Sequence, residues 1–378
     1  MSFPELRREL MEVFSRGVAE PLSDDSFNDL ALRVFRYQGS SVAAYAAFLE
    51  RRGLHPESVN RWEDVPFLPA QAFKAAILVA GASGVERVFR TSGTTRGKAA
   101  RGEHHVRDLS LYGSSLLPNF KAHLFPGGES LPVLCLLSSP EAVMDSSLSY
   151  MMGEVGRGMG VDARFFAGPD GGLHLEGFCE ALYAASAQGD PVLVAGTAFA
   201  FVQMLDWFSQ EELAIRLSPG SRIMETGGYK GRTRVVARED LYAGLQETLG
   251  VPLDHIVNEY GMTEMLSQFY EPVLVGGGGG FGGSAAMRDL GQRYHRGPPW
   301  VRTLVLDPLT LEPMPVGAVG ILAHFDLANL GSVAAVLTED LGQATAGGFH
   351  LLGRSFGAEP RGCSLAMEDF LASISERS

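Results

Sequence analysis

The chain has 378 residues, 46% of them hydrophobic and 20% charged, with a formal net charge of -13 at pH 7. Such a chain can bury a sizeable core in one large domain or two, and its composition is that of a soluble globular protein. The negative balance speaks against a nucleic-acid partner, and no stretch offers the roughly 18 uninterrupted apolar residues of a membrane span.

The N-terminal "MSFPELRREL" carries charges where a signal peptide needs an apolar core, which predicts a cytoplasmic protein. Residues 3–50 read as helical. "SDDSFNDLALRVFRYQ" opens on acidic residues and carries an apolar stripe through Phe27, Leu30, Leu32, Val34 and Phe35. From about 85 to 265, strand-like and helix-like runs alternate. "VERVFR" (Val85–Arg90) reads as a strand feeding the small, hydroxylated run "RTSGTTRGKAARG" (90–102), and "VRDLSLYGSSLLPNF" follows as a helix. Strand, Gly-rich turn and helix is an arrangement that presents free backbone N–H groups to an anion, although the Walker A spacing is missing. The plain alternative is a surface loop.

The further strands are "PVLCLLSS", "DARFFAG", "PVLVAG", "SRIMETGG" and "DHIVNEYG". The helices between them are predicted at Asp145–Gly158, Leu175–Gln188, Ala198–Phe208 and Arg238–Leu249. This alternation predicts an α/β sheet with helical crossovers, whose ligands gather at the carboxyl ends of the strands. "VGGGGGFGGS" (275–284) cannot be regular, whereas "WVRTLVLDP" and "GAVGILAHFD" predict a more antiparallel region.

"NEYGMTEMLSQ" (258–268) places an aromatic, Gly, Thr and Glu at a strand end. An exposed Tyr260 could stack on a purine while Gly261 lets the backbone approach. Thr263 could bond a phosphate and Glu264 a magnesium ion; a turn with a solvated Glu is the alternative. In "LTEDLG" (337–342), Asp340 could accept from ribose hydroxyls, or could be a turn residue. Cys135 and Cys179 read as small core residues. Cys363, in "RGCSLA", opens a helix with Arg361 two residues away, a setting that favours the thiolate.

Together, "TSGTTRGK", "ETGGYKG", "NEYGMTE", "TEDLG" and "LLGRS" resemble, in order, the motifs of the adenylate-forming ligase superfamily, over about residues 85–365. The length, the N-terminal helices, "PPWVR", "DLAN" and "RGCSLA" resemble more closely the acyl-protein synthetases of bacterial bioluminescence (long-chain fatty-acid–luciferin-component ligases). The resemblance implies an α/β fold: the large N-terminal domain of adenylate-forming enzymes, with helix-flanked sheets and a smaller antiparallel β region. The usual C-terminal domain would be reduced to a short tail. The divisions expected are a helical region at 1–84, a core at 85–355 and a tail carrying Cys363 at 356–378.

The resemblance further implies ATP and Mg2+ as cofactors, a fatty acid as substrate and an acyl reductase as partner. An acyl-AMP would form first, and its acyl group would move as a thioester to Cys363. Thr91, Ser92, Gly93, Thr94, Thr95 and Lys98 correspond to the phosphate loop, and Gly227, Gly228, Tyr260 and Gly261 to the adenine pocket. Thr263 and Glu264 match the α-phosphate and metal positions, Asp340 the ribose ligand and Arg354 the residue beside the interdomain hinge. The loop departs from the family in lacking its Pro before Lys98. Only four lysines occur, at 74, 98, 121 and 230, so the lysine of the family's C-terminal domain has no counterpart. Lys230 and Arg232 are the expected replacements, with ordinary surface charges as the alternative. His104 and His105 read as structural or surface residues. Two other readings stand beside this one: a coenzyme A ligase resembling phenylacetate–CoA ligase, and a non-catalytic nucleotide-binding subunit.

Overall fold

The computed structural model describes residues 2–81, 84–91, 101–227, 236–274, 289–354 and 361–375. Three helices open the chain, α1 (Phe3–Ser15), α2 (Asp24–Ser41) and α3 (Ala43–Arg51). Ser23 caps α2 by accepting from the Ser26 amide at 3.2 Å, and Asp24 and Asp25 complement the positive end of the helix dipole. The stripe read from the sequence is buried, with Phe27 and Val34 fully enclosed.

A two-residue strand β1 (Leu68–Pro69) and a short helix α4 (Ala72–Ala75) lead to the hairpin β2 (Arg87–Arg90) and β3 (Glu103–Val106). The expected strand, turn and helix therefore needs correction, because a second strand precedes the helix α5 (Leu109–Leu124). "EHHV" was illegible as a strand because its inward positions are His104 and Val106, and only the second is apolar. Pairing supplies what propensity lacks: Arg87 lies opposite Val106 and Arg90 opposite Glu103.

The alternating region follows as β4 (Val133–Ser138), α6 (Ser147–Met159), β5 (Ala163–Ala167), α7 (Leu175–Gln188), β6 (Leu193–Thr197), α8 (Ala198–Gln210), β7 (Arg222–Thr226), α9 (Arg238–Leu249) and β8 (Ile256–Tyr260). These strands form a parallel sheet in the order β5-β4-β6-β7-β8, closed by the antiparallel β9 (Phe269–Tyr270). Cys135 and Cys179 are buried as expected, and burial raises both thiols above their ordinary range.

The second sheet holds β10 (Val301–Leu306), β11 (Val319–Asp326), β12 (Ala335–Thr345) and β13 (Gly348–Arg354), antiparallel as predicted. β1 joins its edge parallel to β12, with Pro69 opposite Leu337. The last helix, α10 (Arg361–Ser375), packs back on α3, with Phe370 edge-on against Phe48 at 6.1 Å. The N-terminal helices and the second sheet share one hydrophobic cluster, so the region before residue 84 is part of the same core. No described helix is long and apolar enough to cross a membrane.

Four histidines are enclosed in this core, and burial lowers His104, His123 and His295 to about 4 and His324 to about 3. Their folded values lie below the ordinary one near 6.5, so between about pH 6.5 and pH 4 the unfolded chain binds more protons. Stability should accordingly fall as pH drops through that window. Glu225 and Asp326, raised by burial, act in the opposite sense at its acid end. Melting curves from about pH 7 to about pH 5 should show a decreasing Tm; a flat profile would mean that the folded protein already takes up these protons.

Candidate functional site

β7 and β8 end side by side, with Thr226 opposite Glu259, and deliver Gly227 and the turn after Tyr260 to one edge of the parallel sheet. A Cβ placed at Gly227 would meet nothing within 4 Å, so this strand end faces open space. Behind it, Tyr242 Oη donates to Glu225 Oε2 at 3.1 Å, and the Asn258 amide donates to the Glu225 backbone carbonyl at 3.2 Å and to its carboxylate. Burial raises the Glu225 carboxyl above its ordinary value. Beside it, the fully buried Glu271 is bonded by Arg238 at 2.5 Å and by Arg293 at 3.2 Å.

Tyr260 is not the exposed stacking surface expected of it. Its ring is walled by Phe269, His295, His324 and Phe349 at centroid distances of 5.7–5.9 Å, and only 8% of the residue is exposed. The hydroxyl donates to Asp340 Oδ2 at 2.8 Å. The cross-strand pairing of Asp340 with Arg354 brings the Arg354 Nε within 3.5 Å of the other carboxylate oxygen. Tyr260, Asp340 and Arg354 are thus brought together, on three different strands. Gly261 lies exposed just beyond.

Thr263 and Glu264 follow in a turn with no strand partner, and polar side chains hold it. The Thr263 carbonyl lies 2.7 Å from His104 Nδ1, and the Glu264 carbonyl accepts from Asn329 Nδ2 at 2.9 Å. The other nitrogen of His104 lies 2.9 Å from Asn329 Oδ1. Asp326 accepts from the amides of Leu266 and Ser267, both at 2.9 Å, and from Ser267 Oγ at 2.7 Å. Gln38 in turn donates to the Asn329 carbonyl at 2.8 Å. His104 is therefore structural, as read. Gln38, Asp326 and Asn329 were missed; the only signal was "DLAN", quoted as a shared string and given no role.

Of the Gly- and Thr-rich run 90–102, only the two ends are described. Thr91 N donates to the Gly102 carbonyl and Gly102 N to Thr91 Oγ1, both at 2.9 Å. Arg101 clamps the same two ends by donating to the Thr91 carbonyl at 2.6 Å and to Asp145 at 2.8 Å. Ser92, Gly93, Thr94, Thr95 and Lys98 lie outside the described residues, as do Gly228, Lys230 and Arg232.

Cys363 stands in the first turn of α10, where the sequence placed it. Over its described residues, 361–375, the expected tail is a docked helix. Gly362 N donates to the Pro308 carbonyl at 2.9 Å, Asp369 pairs with Arg52 at 3.2 Å, and Cys363 itself is 3% exposed. Apolar residues of α10 (Ala366, Phe370) give it a buried face, which the flanking Gly and Pro had obscured. The Cys363 sulfur lies 3.8 Å from the carbonyl of Thr338, two residues before Asp340 on β12. Among the described residues, no group of three or more His, Cys, Asp or Glu is arranged to hold a metal.

Comparison with known proteins agrees with this architecture. A long-chain-fatty-acid--luciferin-component ligase from Aliivibrio fischeri is 28% identical over 146 residues, which is 38% of this chain and only 34% of that protein. Among solved structures, 2-hydroxyisobutyryl-CoA ligase in an open conformation, with 2-HIB-AMP and CoA, superposes with a TM-score of 0.61. Identity there is 14%, over 89% of this chain and 76% of the ligase. The same ligase in its thioesterification state gives a TM-score of 0.60 at 15% identity, covering 91% and 69%. The α/β fold expected from the sequence, that of adenylate-forming ligases, is thereby borne out. The family model described as "Acyl-protein synthetase, LuxE" matches residues 169–372, more than half of the chain and the part that carries the ends of β7 and β8, Asp340 and Cys363; the chain belongs to that family.

Proposed function

We propose that the protein activates a long-chain fatty acid with ATP and passes the acyl group through Cys363 to a partner reductase. The observation that carries this reading is the position of the Cys363 sulfur, 3.8 Å from the backbone of the strand that bears Asp340. In the first step a carboxylate oxygen attacks the α-phosphorus, the bond to the bridging oxygen breaks, and pyrophosphate leaves. In the second, the Cys363 thiolate attacks the acyl carbon, the bond to AMP breaks, and the thiol proton passes to solvent. Because Cys363 is buried, transfer includes uncovering the first turn of α10.

Attack of one anion on another needs cations and oriented N–H groups. The Thr91–Lys98 segment, Thr263 and Gly261 are read as the phosphate and adenine surroundings, together with Gly227 at the end of β7 and Gly228 next in sequence. Asp340 has oxygens turned to both Tyr260 and Arg354, and it keeps the remaining lone pairs for ribose hydroxyls. A magnesium ion would lower the charge on the phosphates. It commonly takes one or two carboxylates with water and phosphate oxygens, a donor set that Glu264 fits.

Asp340→Ala should weaken ATP binding by about 1.5–3 kcal/mol, the worth of hydrogen bonds to a charged group. Since it also strips Tyr260 of its acceptor, Tyr260→Phe serves as the control in the same titration. Equal ATP affinity in the Asp340 variant and the unaltered protein would remove Asp340 from the site.

Lys230, assisted by Arg232, is proposed as the cation at the α-phosphate, from its place just after Gly227. Lys230→Ala should reduce acid-dependent ATP–pyrophosphate exchange more than it reduces ATP affinity, the pattern of an interaction strengthened in the transition state. Exchange at an undiminished rate would assign that charge elsewhere.

Cys363→Ser should retain ATP–pyrophosphate exchange but form no hydroxylamine-labile acyl adduct, because a serine hydroxyl is not ionised near neutral pH. Intact-mass spectrometry after incubation with ATP, magnesium and a panel of fatty acids reads this directly. A coenzyme A ligase would form no adduct in the unaltered protein, and a non-catalytic subunit would release no pyrophosphate. An adduct mapped to Cys135 or Cys179 would overturn the assignment.

A further inference from the structure

Among the described residues, two other than glycine have a positive φ, Glu212 at 53° and Leu311 at 60°. Glu212 follows the last turn of α8, a place where a left-handed residue commonly ends a helix. Leu311 instead closes the turn that leaves β10. Asp307 organises that turn. Its carboxylate accepts from the amides of Leu309 and Thr310 at 2.8 and 3.0 Å, and its carbonyl accepts from the Leu311 amide at 2.9 Å. A left-handed residue at the end of such a turn is ordinarily glycine or asparagine, which adopt that conformation at least cost. Leucine is strained there, so what distinguishes it from glycine at this place is its side chain.

That side chain lies over Gly362, the residue before Cys363. A Cβ added at Gly362 would be 2.9 Å from both Leu311 Cγ and Leu311 Cδ2. It would also be 3.0 Å from the Pro308 carbonyl oxygen, which already accepts from the Gly362 amide. The glycine of "RGCSLA" is therefore fitted to the turn by its lack of a side chain. The helix α10 is held differently along its length. Its second half is anchored to α3, through Phe370 on Phe48 and Asp369 on Arg52. Its first turn lies between the 307–311 turn and β12, with the Cys363 sulfur toward Thr338. The first turn can thus part from Leu311 and Pro308 while Phe370 stays in place.

We propose that Leu311 is a positioning residue that keeps Cys363 covered. Its side chain and the Pro308 carbonyl hold the first turn of α10 against β12, and their release sets how fast the thiol meets an acyl donor. The link to acyl transfer rests on the reading above, in which Cys363 is the acceptor; the cover over the thiol stands apart from it. Strain at Leu311 offsets part of what its partial burial contributes, so the closed arrangement is held by a small margin.

The test follows alkylation of each cysteine by iodoacetamide on the full chain, mapped by peptide mass. ATP–pyrophosphate exchange and single-turnover formation of the acyl adduct with tetradecanoic acid are measured beside it. Glycine suits the left-handed position, so Leu311→Gly removes the side chain without disturbing the turn. Cys363 in this variant should be alkylated about tenfold faster, the effect of exposing part of a leucine side chain. Cys135, Cys179 and the exchange rate should be unchanged, and the adduct should form faster. Leu311→Met, which keeps an apolar side chain over Gly362, should behave as the unaltered protein does. Equal alkylation of Cys363 in Leu311→Gly and the unaltered protein would overturn the proposal, as would Leu311→Met as reactive as Leu311→Gly. Acceleration of Cys135 in step with Cys363 would mean global opening and would overturn it too. Faster alkylation without faster adduct formation would break the link to acyl transfer. Unaltered protein that exchanges but forms no adduct at Cys363 would overturn the acceptor reading, while alkylation still decides whether Leu311 covers the thiol.

Discussion

The turn at residues 262–267, buried from Glu264 onward, has carbonyls and amides with no sheet to receive them, and a backbone group left unpaired there costs about 1–3 kcal/mol. His104, Asp326 and Asn329 supply the partners, and through them three distant parts of the chain are held in one place. Because His104 sits in the hairpin that ends at Thr91 and Gly102, bonding the Thr263 carbonyl also sets where those two residues stand. The ring is under opposing demands. Both of its nitrogens face oxygens, and the Asn329 amide cannot turn, since its NH2 is committed to the carbonyls of Glu264 and Val333. Those contacts favour a second proton, while burial draws His104 down to about 4.

A second polar layer lies behind the strand ends. Glu271 is fully enclosed yet faces two guanidiniums, both of which lie over the Tyr242 ring, at 4.9 and 5.8 Å. Ion pairs this deep are weak sources of stability, and hydrophobic replacements often do as well. What they supply here is position. Tyr242 and Asn258 both reach Glu225, and Asn258 also lies 2.7 Å from His295 Nε2, so the ends of β7 and β8 are cross-linked just before Gly227 and Tyr260 emerge.

The alternating region was legible because each strand is a short apolar run and each helix has an amphipathic period; Leu175–Gln188 and Arg238–Leu249 appear with the bounds expected of them. β3 was hidden because strand pairing, rather than side-chain pattern, makes "EHHV" extended. Tyr260 was recognised as a motif position but misjudged in exposure, since three of the four rings that cover it, from β11, β13 and the residue at 295, are distant in sequence. The role of Asn329 was beyond local reasoning for the same cause. Its partners at 38, 104 and 264 are specified only by the finished fold. Cys363 was legible as a residue opening a helix, but its docking on β12 was not.

The contact between α3 and α10 bears on how the chain comes to be folded. Arg52 and Asp369 are separated by 317 positions, and Gln38 meets Asn329 across 291. Contacts this remote require large loops to close before any burial rewards them, which slows folding. During synthesis the helices α1–α3 therefore expose Phe48 and the edge of β1 until β12 and α10 have been made. Over that interval the nascent chain presents an unfilled apolar face and an unpaired strand edge, the surfaces that chaperones bind and that aggregation recruits. The segment that carries Cys363 is thus also the piece that seals the N-terminal core.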